Sequence, residues 1–428
     1  MSIRQGYKQT DTEEIPEEWA IRKLGDERVT QLMKAGGTPL RTRKEYYENG
    51  TIPFVRIEDI TTAGKYLNKT ELKITEKGLN NSSTWLVPKK SILYSMYASY
   101  GEAVINTIPV ATNQAIIAIL CSENVELEYL YYSLSQIKTS LYKYLRTTTQ
   151  KNLNAKIVKN LKIPIPPLVE QQSIARILSC VDEAIQKTEE VIERTEMLKR
   201  GLMQRLFTRG IEHTRFKQTE LGDVPEEWEI VPLNEVVNDI RYGTSVKSNN
   251  DTKGLPVLRI PNIIGGKVTL DDLKWVELSK SEIHALLLEE GDLLIVRTNA
   301  NPDYIGRSAQ FKNQEGNWVF ASYLIRIRPN RHKIDSDFLN LFLHSDAVRR
   351  RFRRIARTSA GNYNINTQNL RAVKIALPCL DEQQMIAKIL SQTDSKIEVE
   401  KGELRDLQAL KAGLMQVLLT GKVRVKVG

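Results

Sequence analysis

Cysteine is scarce in this chain of 428 residues, and the three cysteines lie far apart in the sequence. Cys121, Cys180 and Cys379 cannot form a framework of paired disulfides, and none of them has the close cysteine or histidine neighbours of a zinc site. This scarcity is typical of proteins in a reducing compartment. We therefore expect a cytoplasmic protein without structural disulfides or zinc.

Long apolar runs and cofactor-binding loops are absent as well. No apolar run approaches the roughly 18 residues that span a bilayer, and the first residues lack the apolar segment of a signal peptide. There is no G-x-x-x-x-G-K-[ST] loop and no G-x-G-x-x-G loop, so neither ATP nor a dinucleotide is expected to bind. The four histidines are scattered without metal-ligand spacing. These absences leave no evident place for a cofactor or a metal.

The features that the sequence does contain occur twice. Residues 163–178 read IPIPPLVEQQSIARIL and residues 375–390 read IALPCLDEQQMIAKIL, with ten of sixteen positions identical at an offset of 212 residues. YKQTDTEEIPEEW (7–19) likewise matches FKQTELGDVPEEW (216–228). Self-similarity over such a length predicts two copies of one structural unit.

Each copy combines a mixed segment with a helical one. Apolar, β-prone runs such as SILYSMY (91–97), QAIIAIL (114–120) and DLLIVRT (292–298) alternate with turns rich in glycine, asparagine and threonine, and a helix is predicted to close the segment, at 126–145 or 335–356. This pattern indicates an α+β fold. The predicted boundaries are 1–165 and 211–377 for the mixed domains, and 166–210 and 378–428 for the helical segments, the last with a short tail.

Apolar residues recur every three or four residues in both helical segments, which predicts a coiled-coil seam. A helix of about 38 residues is roughly 57 Å long. Because the chain leaves the first helix, builds a domain and then enters the second, we predict an antiparallel pair with one domain at each end; the alternative is that each helix packs only on its own domain. The predicted seam contains Ile174, Leu178, Val181, Ile185, Ile192, Leu198 and Leu202 in the first helix and Ile386, Leu390, Ile397, Leu404, Leu410, Leu414 and Leu418 in the second.

The start of each helix carries the repeated sequence Glu-Gln-Gln. Asp381 is predicted to cap the second helix, with Gln384 completing a capping box, whereas Val169 gives the first helix a weaker cap. Glu170 and Glu382 are then helix-start residues, favoured there by the helix dipole. Replacing both with glutamine is predicted to weaken folding or docking only slightly.

Basic residues exceed acidic ones in both copies. The net charge is +10; residues 1–212 contain 30 Lys and Arg against 25 Asp and Glu, and the remainder contains 32 against 27, so each half carries +5. Such a balance fits an anionic partner such as nucleic acid. The densest run is RRRFRRIAR (349–357), and a run of only one sign favours phosphate contact over a solvated helix face.

Polar loops with interspersed aromatic residues recur at matching places, and their side chains differ between the copies while the helices hardly differ. Basic side chains neutralise phosphates, and short polar side chains on loops hydrogen-bond phosphates or base edges. This contrast indicates two recognition surfaces with different targets. The predicted contacts are Thr38, Arg41, Arg43, Lys44, Arg56, Tyr94, Tyr97, Ser99, Asn113, Gln114, Thr148, Gln150, Lys151 and Asn152 in the first copy, and Thr244, Lys247, Arg259, Asn262, Arg297, Asn299, Tyr323, Arg350, Arg354, Arg357, Asn362, Tyr363 and Asn364 in the second.

Two stretches imitate catalytic signatures. Asp59, Glu71 and Lys73 have the loose spacing of a metal-dependent nuclease, but Asn262 stands at the place of Asp59 in the second copy, which favours a solvated surface. NPDY (301–304) resembles the Asn-Pro-Pro-Tyr loop of amino-group methyltransferases, but the first copy has no counterpart, so a turn is the better interpretation. We predict neither a catalytic residue nor a metal site.

Taken together, these features resemble the specificity subunit of a type I restriction-modification system. The resemblance covers nearly the whole chain: GGTPLRTRKEYYENGTIPFVRIEDI, ATNQ and TQKNLN precede IPIPPLVEQQSIARIL and LKRGLMQRLFT, and a second round follows in the same order. The specific part is the doubled Pro-x-Leu-x-Glu-Gln-Gln with its long helix. The second copy departs from the pattern, since it has YGTSV in place of GTP and no ATNQ.

The resemblance implies a pseudo-two-fold α+β protein in which two target recognition domains are separated by two helices that pair as an antiparallel coiled coil. Each domain would read one half of a split, asymmetric DNA site, and the helices would set the gap. The subunit itself would be non-catalytic. Its implied partners are DNA, two methyltransferase subunits that use S-adenosylmethionine to modify adenine N6, and restriction subunits that use ATP and magnesium.

Three other functions remain open at this point. A coiled-coil structural protein would not need the net charge of +5 in each half. A stand-alone DNA-binding scaffold or regulator would copurify with no methyltransferase. A self-contained nuclease or methylase would act on DNA by itself when magnesium or S-adenosylmethionine is supplied. The bases that are read depend on loop geometry, which one sequence does not specify.

Overall fold

The chain folds into two compact units. The computed structural model describes residues 4–9, 14–97, 99–147, 153–312, 314–359 and 361–425. The first unit comprises Met1–Glu189 with Gly402–Gly428, and the second comprises Glu190–Lys401. Each unit therefore contains one mixed domain together with part of each of two long helices.

The first mixed domain is built from short strands and one longer helix. The long helix α5 (Leu168–Arg209) follows this domain. Within the described residues the strands are β1 (Tyr7–Gln9), β2 (Glu14–Pro16), β3 (Ala20–Lys23), β4 (Thr30–Ala35), β5 (Ile52–Val55), β6 (Tyr66–Leu67), β7 (Leu72–Ile74), β8 (Ile92–Ser95), β9 (Ala103–Asn106), β10 (Ala111–Thr112), β11 (Ile116–Cys121) and β12 (Lys162–Ile165), and the helices are α1 (Ile57–Thr62), α2 (Glu76–Asn80), α3 (Leu127–Thr147) and α4 (Ala155–Lys159), with a 3₁₀ turn at Lys44–Tyr46.

The second mixed domain repeats this order, and the long helix α10 (Leu380–Leu418) follows it. Its described strands are β13 (Phe216–Thr219), β14 (Gly222–Pro225), β15 (Glu229–Pro232), β16 (Val237–Tyr242), β17 (Leu255–Leu258), β18 (Ile263–Ile264), β19 (Gly266–Val268), β20 (Lys274–Val276), β21 (Leu293–Val296), β22 (Thr298–Asn299), β23 (Ser308–Gln310), β24 (Val319–Phe320), β25 (Leu324–Pro329), β26 (Arg357–Ser359), β27 (Asn362–Asn364) and β28 (Lys374–Leu377). Its helices are α6 (Lys280–Leu286), α7 (Ser336–His344), α8 (Asp346–Ile355) and α9 (Thr367–Arg371), with 3₁₀ turns at Leu233–Glu235, Ile260–Asn262 and Pro302–Tyr304.

The central sheet has the same strand order in both domains. The order is β4-β11-β8-β9-β6 in the first domain and β16-β25-β21-β23-β19-β18 in the second, which differs only by the short edge strand β18. A three-stranded sheet accompanies each central sheet, in the order β10-β5-β7 and β24-β17-β20. The predicted internal repeat and the α+β class are therefore confirmed.

The central strands are apolar throughout because each central sheet is covered on both faces. Side chains of a strand point alternately to opposite faces. In β8, Ile92 and Tyr94 join a core that contains residues of α3, while Leu93 joins a core with residues of the three-stranded sheet. In β21, Leu293 and Leu294 are divided between two cores in the same way. Burial on both faces explains the unbroken apolar runs in the sequence.

The helix that closes the mixed segment differs between the two copies. α3 is continuous, as predicted. In the second copy the chain forms α7 and α8, with a break at Ser345, whose hydroxyl accepts a hydrogen bond from the backbone N–H of Val348 and so caps α8. The prediction of one helix over 335–356 is therefore wrong at this serine.

The two long helices pack against each other in antiparallel directions, as predicted. In the first unit Asp182 of α5 pairs with Lys411 of α10 at 2.6 Å. In the second unit Lys199 of α5 pairs with Asp394 of α10 at 2.5 Å. The two aspartates are 212 residues apart, and so are the two lysines. The same ion pair between the helices therefore occurs once in each unit. Neither these helices nor any other described helix is long and apolar enough to cross a membrane.

Most predicted seam residues are at least partly buried, but one repeated position is wrong. Leu198 and Leu410 are 58% and 51% exposed. The neighbouring Lys199 and Lys411 form the ion pairs between the helices instead. The buried seam residues are Ile174, Leu178, Ile192, Ile386, Leu390, Ile397 and Leu418, and the half-buried ones are Val181, Ile185, Leu202, Leu404 and Leu414.

A buried glutamate joins each mixed domain to its helix. The side chain of Glu170 is 1% exposed and accepts hydrogen bonds from the indole N–H of Trp19 at 3.0 Å and from the guanidinium of Arg424 at 2.7 Å. Glu382 accepts a bond from the indole N–H of Trp228 at 3.0 Å and lies 3.0 Å from Nε2 of His213. The same junction is thus built twice, with an arginine in one copy and a histidine in the other.

The glutamine that follows each of these glutamates closes the junction. Gln171 accepts a bond from the backbone N–H of Glu126, just before α3, and donates to the carbonyls of Pro166 and Asn124. Gln383 makes the equivalent three bonds. These amide groups are buried, so folding removes their hydrogen bonds to water. The hydrogen bonds within the protein replace those lost bonds. The repeated Glu-Gln-Gln therefore holds the end of a strand, the start of a domain helix and the start of a long helix together.

The predicted helix cap at Asp381 is wrong. α10 begins at Leu380, and the backbone N–H of Gln383 donates to the carbonyl of Cys379, so Asp381 lies in the first turn and not before it. The contacts of Gln383 and Glu382 draw the helix start toward Pro378. Packing against the domain therefore decides the helix boundary in place of local capping preference.

The three cysteines are free. Cys121 at the end of β11 is half-buried, and burial raises the pKa of its thiol to about 12. This thiol is therefore protonated at neutral pH and chemically inert. Cys180 and Cys379 are exposed.

Replacing Glu170 with glutamine should lower the stability of the protein more than a substitution on the surface does. Glutamine keeps the shape of the side chain but removes the negative charge that Arg424 binds, so we expect the free energy of unfolding to fall by about 1–3 kcal/mol. Urea denaturation followed by tryptophan fluorescence measures this change. Glu183→Gln, at an exposed position of the same helix, is the control and should change stability by less than about 0.5 kcal/mol. Equal effects of the two substitutions would contradict the junction described here.

Candidate nucleic-acid interface

The polar loops of each domain gather at one edge of its central sheet. β11 is antiparallel to both β4 and β8, so the ends of β4 and β8 and the start of β11 lie at the same edge. The loops at 36–50, 96–97 with 99–101, and 112–115 lie there, and we call them the first strand-end surface. In the second domain β16, β21 and β25 are arranged in the same way.

The second strand-end surface consists of the equivalent loops and a hairpin. The loops are residues 243–250, 297–306 and 321–323, and the hairpin strands are residues 357–359 and 362–364. The strand β27 pairs with both β26 and β22, and the three strands form a small sheet. This sheet brings two parts of the sequence to one place. The matching residues of the first copy, 148–152, lie outside the described part of the chain.

A glycine begins the first loop of each surface. A Cβ atom on Gly36 would lie 2.0 Å from the carbonyl oxygen of Thr112, and one on Gly243 would lie 2.1 Å from that of Phe320. The next residue, Gly37 or Thr244, donates its backbone N–H to the same carbonyl. These shared hydrogen bonds show that Gly243 corresponds to Gly36. An alignment of the sequence GTS with the sequence GTP would instead shift the two copies by one residue.

Three predicted contacts lie together on the first surface. The hydroxyl of Thr38 donates to the amide oxygen of Gln114 at 2.5 Å. Asn113 accepts a bond from the backbone N–H of Ala115 at 2.9 Å and so shapes the turn before β11. Of these side chains Gln114 is exposed and the other two are partly exposed. The pair Thr38 and Gln114 presents amide and hydroxyl groups suited to hydrogen bonding with a base edge.

Basic and aromatic side chains lie on the same loops. Arg41, Arg43 and Lys44 are exposed on the loop after β4, where Arg43 and Lys44 also lie near acidic neighbours at 3.8 and 3.9 Å. Tyr97 is 38% exposed, and Ser99 is partly exposed. Four further predicted contacts lie outside the described residues: Thr148, Gln150, Lys151 and Asn152.

Three predicted contacts are wrong because the side chains are buried. Tyr94 belongs to the core between α3 and the sheet. Asn262 is fully buried, and its amide donates to the carbonyls of Thr269 and Asp271. Thr244 is 7% exposed, and its hydroxyl accepts a turn bond from the N–H of Val246. None of these groups is available to a large external ligand.

Arg56 and Arg259 are held by carboxylates at equivalent places. Arg56 pairs with Glu71 at 2.7 Å, and Arg259 pairs with Asp272 at 2.8 Å. Asp59 is buried and accepts a bond from the backbone N–H of Arg56, so it caps α1. Of the nuclease pattern, Asp59 is therefore used in a helix cap and Glu71 forms a surface ion pair with Arg56. No cluster of metal-ligating side chains occurs among the residues that the structure describes.

The small sheet collects the predicted contacts of the second surface. Asn299 lies opposite Tyr363, and Arg357 lies opposite Asn364. Tyr323 is 58% exposed beside this sheet. The remaining predicted contacts of this surface, all at least partly exposed, are Lys247, Arg297 and Asn362.

The arginine-rich helix α8 has a structural side and an exposed side. Arg349 donates to the backbone carbonyls of Asp303 and Ile305, and Arg353 pairs with the Asp303 carboxylate at 3.0 Å. Burial, followed by repulsion from nearby arginines, lowers the pKa of Arg349 to about 10, so it stays charged at neutral pH. These arginines hold the NPDY segment, which forms a 3₁₀ turn. Arg353 is nevertheless exposed, and the other exposed arginines of this region are Arg350, Arg354 and Arg357.

Sequence reasoning missed Tyr242, which is 36% exposed at the end of β16. Its ring packs against the guanidinium of Arg297, whose Cζ lies 4.6 Å from the ring centre. Sequence reasoning also missed Trp19 and Trp228 at the junctions. In each case the signal was present, as an aromatic residue directly before the loop glycine and as a tryptophan repeated in both copies.

Comparison with known proteins assigns both copies of the repeat to one protein family. A family model described as the type I restriction modification DNA specificity domain matches residues 16–196 and 225–409. The MjaVIII specificity subunit of a type I restriction enzyme from Methanocaldococcus jannaschii is 31% identical, over 99% of this chain and 98% of that protein. The EcoKI specificity subunit of Escherichia coli is 24% identical, over 96% and 89%.

Solved structures share the fold at lower identity. A chain solved in work on complex assembly and conformational transition of the type I R-M system has a TM-score of 0.61 at 20% identity and covers 96% of this chain and 99% of its own length. The S subunit of a type I restriction-modification system from M. genitalium has a TM-score of 0.55 at 17% identity and covers 98% and 99%.

Replacing Gly243 with alanine should damage the second strand-end surface. The new Cβ would lie 2.1 Å from the carbonyl oxygen of Phe320, so the loop at 243–250 must move, at an expected cost of about 2 kcal/mol or more. Hydrogen exchange at this loop and thermal unfolding measure the effect. Gly413→Ala is the control, since nothing lies within 4 Å of a Cβ at that helical position, and it should be neutral or stabilising. An unchanged loop in Gly243→Ala would contradict the close approach.

Proposed function

Because this chain belongs to the family of type I restriction-modification DNA specificity domains, we propose that each strand-end surface reads one half of a bipartite, asymmetric DNA site. The chain acts as the specificity subunit of the system. Its two domains supply the recognition, and its paired helices set the spacing between the two half-sites.

One observation supports separate targets for the two domains. The frame is the same in both, with equal strand orders and a glycine at the same close approach. The side chains carried on that frame differ: where the first domain has Thr38 and Gln114, the second has Ser245 and Ser322 at the equivalent places. Direct readout depends on the donors and acceptors presented to the major groove. Two different sets of side chains on the same strand arrangement therefore imply that the two domains read different half-sequences.

The predicted contacts divide into two kinds. The exposed arginines and lysines, such as Arg41, Lys44, Arg350 and Arg354, are proposed to bind phosphates and to make binding salt-dependent. The amide and hydroxyl side chains near the sheet edge are proposed to contact bases. The net charge of +10 supports this division.

The helix pair is proposed to dock the enzymatic partners. Leu198 and Leu410 are related by the repeat and are both largely exposed on long helices. An exposed leucine repeated at one structural position fits two equivalent partners. We propose two methyltransferase subunits, which use S-adenosylmethionine to modify adenine N6, and restriction subunits that use ATP and magnesium. This chain contributes no catalytic residue to the proposed mechanism.

The comparisons favour this function over a stand-alone DNA-binding regulator, because relatives that match nearly the whole chain are specificity subunits of type I restriction enzymes. A self-contained nuclease is disfavoured because Asp59 is used in a helix cap and Glu71 in an ion pair with Arg56. A self-contained methylase is disfavoured because the NPDY turn is held by Arg349 and Arg353.

Methylation mapping tests the proposed function directly. Single-molecule sequencing of DNA from cells that express this chain with its methyltransferase should show one split motif, methylated on adenine, with a fixed unread gap. Cells that express the methyltransferase alone are the control and should lack the motif. A continuous motif, or no motif with both proteins present, would refute the proposal.

The docking surface predicts a change in stoichiometry. Leu198→Glu and Leu410→Glu place a charge on an exposed apolar position, so folding should be preserved while an apolar contact is lost. Each single variant should retain one methyltransferase subunit in place of two, and the double variant should retain none, as measured by native mass spectrometry. Gln408→Glu, also exposed on α10, is the charge-matched control. Two subunits bound to the double variant would contradict docking at these leucines.

A further inference from the structure

Arg297 occupies a central place on the second strand-end surface. It directly follows β21, and its backbone is bound on both sides: its N–H donates to the carbonyl of Tyr323 at 3.0 Å, and its carbonyl accepts from the N–H of Ile365 at 2.8 Å. These bonds connect it to the loop at 321–323 and to the residue that follows β27. The start of the Arg297 side chain is therefore rigidly placed between the loops of this surface.

The guanidinium of Arg297 is positioned as well. Its Cζ lies 4.6 Å from the centre of the Tyr242 ring, and Nη1 donates to the carbonyl of Ser322 at 3.3 Å. The tyrosine is itself held, because its hydroxyl accepts a bond from the backbone N–H of Thr367 at 3.0 Å. A stacked and hydrogen-bonded guanidinium loses little conformational entropy when it binds a ligand.

Arg297 differs from three other ordered arginines near the two surfaces. Arg56, Arg259 and Arg353 each pair with a carboxylate at 3.0 Å or less. In the described part of the chain Arg297 has no carboxylate partner; its one recorded side-chain acceptor is a neutral carbonyl. A guanidinium has five N–H donors. One donor of Arg297 bonds Ser322 and its Nε–H is buried, so the two donors of Nη2, the second donor of Nη1 and the full positive charge remain for an external acceptor.

The first domain has no equivalent of this arginine. β8 and β21 occupy the same place in the two sheets. The residue after β8 is Met96, whose N–H donates to the carbonyl of Ala115 as that of Arg297 donates to Tyr323. Met96 is 3% exposed. Ala35 ends β4 where Tyr242 ends β16, so the stacking partner is missing as well.

We infer that Arg297 recognises a guanine in the half-site read by the second domain, and that Tyr242 is the positioning residue that orients it. This inference rests on the proposed function. The commonest base-specific contact of arginine is a bidentate pair of hydrogen bonds to O6 and N7 of guanine in the major groove. A phosphate contact needs no such orientation, since exposed arginines such as Arg350 and Arg354 provide charge at the rim.

The test compares methylation motifs of the complete complex. The wild-type motif should contain a guanine at a fixed position of one half-site. Arg297→Ala should relax that position alone, with discrimination between guanine and other bases falling roughly 5- to 150-fold, and the other half-site should stay the same. Methylation rates on duplexes that differ only at this base pair give the fold-change.

Two substitutions at Tyr242 separate positioning from general stability. Tyr242→Phe keeps the ring under the guanidinium and removes only the bond to Thr367, so it should relax the guanine position less than Tyr242→Leu does. Tyr242→Leu removes the ring and should relax the same guanine position as Arg297→Ala, but more weakly. If Tyr242→Leu alters either several positions or none while thermal stability is retained, the positioning role is overturned.

Arg354→Ala is the matched control for charge. It should weaken DNA binding uniformly, lower the slope of binding against salt by about one, and leave the motif unchanged. If Arg297→Ala behaves in this way, Arg297 is a phosphate contact and the inference is overturned. It is also overturned if neither wild-type half-site has a guanine that responds to Arg297→Ala. By contrast, absence of any split motif in the wild type would refute the proposed function itself.

Discussion

A buried carboxylate at each junction is the interaction on which the rest of the structure depends. An ionised glutamate out of water is costly unless it is paired and hydrogen-bonded. Glu170 meets this requirement with Trp19 and Arg424, and Glu382 meets it with Trp228 and His213. The partners come from segments far away in the sequence. Satisfying the charge therefore ties a domain to its helix.

The helix register depends on a second charged contact. A simple three-four alternation of apolar residues allows several registers and directions. Placing Lys199 opposite Asp394 and Lys411 opposite Asp182 selects an antiparallel pair in one register, because a lysine placed against an apolar position would remain unpaired. This selection turns the repeated leucine beside each lysine outward. Leu198 and Leu410, which the local apolar pattern assigned to the seam, are therefore exposed to solvent.

The recognition surfaces combine a constant frame with variable side chains. The glycines at the close approaches, the strand order and the burial of both sheet faces are the same in each domain. A pattern of polar residues could not separate groups that face solvent from groups that support the loops. Asn262 supports a loop, for example, and Asn299, which is also an asparagine, is partly exposed on the second surface.

The sequence by itself determined the repeat, the α+β class, the long paired helices and the family, because each of these is written in periodicity or in runs of identical residues. Only the tertiary structure decided which polar residues are exposed, why Glu-Gln-Gln is repeated, and how the arginines are divided. The run at 349–357 reads as one basic patch, yet Arg349 and Arg353 hold a neighbouring turn. A hydrogen bond to a carbonyl or carboxylate far away in the sequence cannot be inferred from the local sequence, because only folding brings the two groups together.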